Sequence, residues 1–101
     1  MQIPGMKTPV KKISVEEAER LALEAFSRIA GDEERLGRFL AISGLQAQTI
    51  RSAAAMPGFL AGILDYVAAD ERLLIALAQE LDTKPERIME AHHTLSPSEF
   101  D

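Results

Sequence analysis

Apolar residues recur along this chain at helical spacing, and no segment alternates with the period of two that a half-buried strand requires. Val15, Ala18, Leu21, Ala22, Ala25, Phe26 and Ile29 fall on one side of a first helix predicted over residues 15–30. Ser14-Val15-Glu16-Glu17 reads as its capping box, with Ile13 as a staple before it. Gly31 follows where a left-handed stop is expected. Asp32 caps a second helix, about 33–43, in which Leu36, Phe39, Leu40 and Ser43 keep the same spacing. Gly37 inside it suggests a close helix crossing, Gly44 ends it, and Leu45 folds back on its last turn.

A third helix of about 46–55 turns Ile50, Ala53 and Ala54 inward, and Pro57 ends it at Met56. The same proline suits the first turn of a fourth helix, about 57–69, with Leu60, Ile63, Leu64 and Val67 as its core stripe. Asp70 caps a fifth helix, about 71–81, whose run from Leu73 to Ala78 is apolar almost all round. That is the mark of a helix central to a bundle. Thr83-Lys84-Pro85-Glu86 is a second capping box, opening a last helix of about 84–94 that brings in Ile88, Ala91 and Leu95. The expected fold is therefore all-α, a compact bundle of five or six short helices.

A repeat runs through this pattern. Glu34-Arg35-Leu36 with Leu40-Ala41 returns as Glu71-Arg72-Leu73 with Leu77-Ala78, 37 residues later. Each copy leads through a short break into a second apolar segment, which outlines two helix–turn–helix-like units.

Composition narrows the class. One domain is expected from 101 residues, with 47% apolar and 27% charged residues. Residues 1–12 hold Pro4, Gly5, Pro9 and three lysines but no periodicity, and read as a mobile basic arm. The helical domain then covers 13–96, and 97–101 form a frayed tail. The absence of cysteine excludes disulfides and thiolate metal sites. No apolar run reaches the ~20 residues of a membrane span, and none follows the lysines as a signal peptide requires. A cytoplasmic location is expected.

Net charge is −5, and removing the arm leaves 8 basic residues against 16 acidic, a net of −8. An acidic body repels phosphate backbones. Leu77 to Ile88 and Phe39 to Arg51 both fit the DNA-binding helix–turn–helix pattern, yet their second helices offer only Arg51 in one and Arg87 beside Glu86 and Glu90 in the other. DNA binding is accordingly the alternative reading, and nucleic acid is not an expected partner.

Adjacent His92 and His93 point about 100° apart on a helix and do not make an i, i+4 metal pair. Neither Glu90 nor Glu99 beside them makes a specific ligand set. Asp70 is explained as a cap, Glu71 as a solvated face, and no nucleophile relay or phosphate loop accompanies Asp65-Tyr66. No catalytic, cofactor or metal site is expected.

Leu23, Ile42, Phe59, Tyr66, Ile75 and Met89 exceed what one stripe per helix needs. They fit equally a surface for a protein partner and a bundle that buries helices on two sides. Phe59 and Tyr66 share a side of the fourth helix, where Gly58 and Gly62 leave room for another backbone. These four residues form a candidate interaction surface and point to a homodimer. In the competing arrangement both rings pack on the first helix around Phe26.

The segments Glu34-Arg35-Leu36-Gly37-Arg38-Phe39-Leu40-Ala41, Ser43-Gly44-Leu45, Phe59-Leu60 and Asp65-Tyr66 together resemble a family of small alphaproteobacterial proteins known as a domain of unknown function, number 3572. The resemblance spans roughly Glu16 to Leu95. It implies a compact helical domain in the bacterial cytosol and brings no active-site motif with it.

Overall fold

The computed structural model describes residues 13–54 and 58–96, which form six α-helices with no strand among them. The helices are α1 (Val15–Ala30), α2 (Glu33–Ser43), α3 (Ile50–Ala54), α4 (Phe59–Ala68), α5 (Glu71–Glu80) and α6 (Pro85–Leu95), and a 3-10 turn at Ala47–Thr49 leads into α3. Expectations for the basic arm, the Met56-Pro57 stop and the tail after Ser96 fall outside the described residues.

Helix starts follow the caps. The Ser14 hydroxyl accepts from the Glu17 N–H at 3.1 Å, and the Asp32 carboxylate accepts from both Glu34 and Arg35. Asp70 accepts from the Leu73 N–H. Only half of the first capping box forms, because the Glu17 side chain turns away to a tertiary partner, Arg87. Ile13 is buried as a staple should be, whereas Val15, expected inside, is exposed on the first turn.

Helix ends depart further from expectation. Gly44 does stop α2 in the left-handed conformation, φ +79°, with its N–H donating to the Leu40 carbonyl. Gly31 does not: its φ is −81°, and what sets it apart is a carbonyl oxygen of Ser27 only 3.3 Å from where a Cβ would stand. Among the described residues other than glycine, the left-handed conformation is taken by Asp82, φ +57°, after α5. There Asp82 N–H donates to Gln79 and Thr83 N–H to Ala78, the paired bonds of a Schellman stop. Using Thr83 to close α5 leaves Lys84, not Thr83, as the cap of α6, and no side chain caps that helix. Pro85 occupies its first turn as expected.

The core is carried by α1, α4 and α6. α1 lies against α6, α4 and α2, while α5 packs mainly on α4 and α6. Ile29, Ile63, Leu64, Val67, Leu77 and Ile88 are its largest fully buried side chains. The fifth helix is therefore peripheral, contrary to its apolar run. It buries Leu74, Leu77 and Ala78, but Ile75 is 43% exposed and Leu73 and Ala76 are half-buried. α3 has little to bury: Ile50 and Ala53 are half-covered, and Ala54, expected inside, is exposed.

The two repeated units are not equivalent. Leu77 and Ala78 are fully buried, whereas Leu40 is half-buried and Ala41 exposed. The caps Asp32 and Asp70 stand 38 residues apart while the leucines stand 37 apart. One residue of slip rotates the apolar face by roughly 100° relative to the helix start. Among the described residues no helix crosses at Gly37 either, since nothing outside its own helix backbone lies within 4 Å of the position a Cβ would take there.

Candidate functional site

Four aromatic rings run through the join of α1, α2 and α4. Phe59 meets Phe26 edge-on at 5.3 Å, Phe26 meets Phe39 at 6.2 Å, and Phe39 meets Tyr66 at 5.1 Å. Such contacts add about 0.5–1.5 kcal/mol each to the area they bury. The aromatic edge of α4 is thus turned into the molecule, Phe59 onto Phe26 and Tyr66 onto Phe39. Gly58 and Gly62 remain exposed beside it, with open space where each Cβ would be.

Tyr66 is half-buried, and it also lines a groove between α2 and α5. Arg35 and Arg38 of α2, Tyr66 of α4, Asp70, and Arg72, Leu73 and Ala76 of α5 line a hollow of about 220 Å³. A second hollow of about 440 Å³ continues it past Ile42, Ala69 and Glu71. Burial pushes the Tyr66 phenol above its ordinary pKa, while the nearby Arg38 guanidinium opposes that shift.

The groups in this groove differ in whether the fold already employs them. Arg35 is taken by Glu80, at 3.0 and 2.6 Å through both terminal guanidinium nitrogens. The Asp70 carboxylate is taken by the first turn of α5. Arg38 and Arg72 make no ion pair among the described residues. At the end of the groove Ile42 is 64% exposed, the most exposed of the large apolar side chains among the described residues. The sequence repeat offered a partial signal here, because it pairs Arg35 with Arg72; it does not say that one is bound and the other is not.

The remaining candidates lie elsewhere. Arg87 donates to Glu17 at 2.8 Å and to Glu90 at 3.1 Å, so its charge is already matched, and Arg51 is exposed on α3 with no ion pair among the described residues. His92 Nε2 lies 2.6 Å from Asp65 Oδ1, an arrangement that in catalytic dyads orients the opposite nitrogen toward a substrate. Here the opposite nitrogen, Nδ1, is buried away from solvent and has no hydrogen-bond partner among the described residues. His93 is exposed and its ring is 5.5 Å from that of His92. Among the described residues no three His, Asp or Glu side chains are grouped to hold a metal ion, and no helix is long and apolar enough to cross a membrane.

Comparison with curated proteins finds no match, and comparison with solved structures finds none. The family described as "Protein of unknown function (DUF3572)" matches residues 15–98, from the first turn of α1 to just past α6, and the chain belongs to that family.

Proposed function

We propose that this protein is a nonenzymatic protein–protein interaction module of the bacterial cytosol whose partner docks in the groove between α2 and α5. The carrying observation is the convergence of Arg38, Arg72, Tyr66 and exposed Ile42 from three helices on one concave surface. Arginine and tyrosine are the residue types that dominate binding energy at protein interfaces, and a neighbouring aliphatic side chain supplies apolar area. The DNA-reading alternative has less support, because Arg87 is held by two carboxylates and Arg51 is left as a single cation. A homodimer is one form the interaction takes if the partner is a second copy.

The test is a partner identified by cross-linking in the source cell and then purified. Binding to it should weaken at least about tenfold in Ile42→Asp, a change of roughly 1.4 kcal/mol. The control Leu23→Asp, on the outer face of α1 where Leu23 is 54% exposed, should bind normally. Equal affinity for wild type and Ile42→Asp would overturn the docking assignment.

A further inference from the structure

We propose that the segment filling this groove is acidic, a partner stretch that sets a carboxylate between Arg38 and Arg72 and an aliphatic side chain against Ile42. The inference rests on the interaction reading above and adds the chemistry of the occupant. Its basis is charge complementarity. The other charged groups lining the inner hollow have tasks inside the fold: Arg35 grips Glu80, and Asp70 caps α5. Glu71 sits in the first turn of α5, where the helix dipole favours a negative side chain. Among the described residues Arg38 and Arg72 make no ion pair, and with Arg35 matched by Glu80 they line the inner hollow, from α2 and α5, with two guanidinium charges against the one carboxylate of Asp70. A guanidinium presents a planar fork of donors that fits a carboxylate with two parallel bonds.

A phosphate suits the site less well. What separates a peptide carboxylate from a phosphate here is the surroundings rather than the charge, since Arg38 and Arg72 attract either anion and Asp70 and Glu71 repel either. The half-buried Leu73 and Ala76 in the inner hollow, with Ile42 beyond, give the occupant apolar contacts that a free anion cannot use. A protein segment carrying both an acid and an aliphatic residue uses both features.

The probe is a phage library of random peptides about a dozen residues long, panned on the full chain and counter-selected on an Arg38→Gln, Arg72→Gln variant. Recovered sequences should pair Asp or Glu with Leu, Ile or Val. Synthetic versions should bind the wild type at least about tenfold more tightly than either single Gln variant, with unchanged melting of all proteins. Recovery of no binders, of peptides without acids, or of peptides that both variants hold equally well would overturn the inference. So would displacement of the peptide by inorganic phosphate at constant ionic strength, or a light-scattering dimer that Arg72→Gln dissolves, which would make a second copy the occupant. The two readings fail separately: if Ile42→Asp releases the purified partner but selected peptides lack acids, the docking assignment stands and the acidic occupant does not.

Discussion

Arg35 on α2 holds Glu80 on α5 with both terminal guanidinium nitrogens, at 3.0 and 2.6 Å. The pair joins the start of one helix to the end of another, and these two helices are not major packing partners. It therefore braces one end of the groove that Arg38 and Arg72 flank.

The Arg35 guanidinium holds the Glu80 carboxyl below its ordinary pKa. A carboxyl lowered in the folded state contributes stability above its unfolded value, about 4.3, and loses it as pH falls through the folded value. Glu80→Gln should therefore melt below wild type at neutral pH, by an amount matching about 0.2–1 kcal/mol for a partly exposed pair. The gap between the two melting curves should close as pH drops below about 4.3. A gap that persists unchanged into strong acid would show that the pair is not its source.

Leu77→Ala and Leu40→Ala should separate the two repeated units. Leu77 is wholly buried, so its truncation should cost about 2–5 kcal/mol in urea denaturation. Leu40 is half-exposed and should cost clearly less. Equal costs would mean that the two units bury their leucines alike.

Asp82 carries a strained left-handed backbone and an acidic side chain at the end of α5, where the helix dipole is also negative. Asp82→Gly removes both penalties. A gain of up to about 1 kcal/mol, or roughly 4–8 °C in melting temperature, is expected for a domain of this size. A lower melting temperature would reveal a contact of the carboxylate that outweighs the strain.

Gly37 inside α2 and Gly44 at its end should respond oppositely to alanine. Nothing stands near the Cβ position of Gly37, so Gly37→Ala should stabilise by about 1 kcal/mol through helix propensity. Gly44→Ala places a side chain at φ +79° and should destabilise by roughly 1–2 kcal/mol. Thermal melts of both variants in one buffer decide the pair.

What could be read from the sequence was what neighbouring residues decide among themselves. Ser14, Asp32 and Asp70 mark their helix starts because a side chain two or three positions from an orphan N–H needs no distant partner. The bounds of α1 and α2 follow for that reason. Gly31 and Asp82 went the other way: a glycine permits a left-handed stop without demanding one, while packing of α5 against α6 imposed it on an aspartate. The apolar run of α5 likewise marked burial but not how many sides would find neighbours. The groove was invisible for the same cause. Nothing near Arg38 or Arg72 in the chain tells that Glu80 will choose Arg35, or that Tyr66 will fold onto Phe39 and still line the groove.

The close association of α1 with α6 has a topological consequence. Arg87 reaches across to Glu17, and the Thr94 hydroxyl lies 3.5 Å from the Ile13 carbonyl oxygen, so the helical body begins and finishes at one place. A short linker from residue 96 back to 13 would close that body into a ring with α1 and α6 undisturbed. New ends could then be opened in the exposed 3-10 turn at Ala47–Thr49, where little is buried. Such a permuted chain would keep the groove and reverse the order in which its walls are made, α5 before α2.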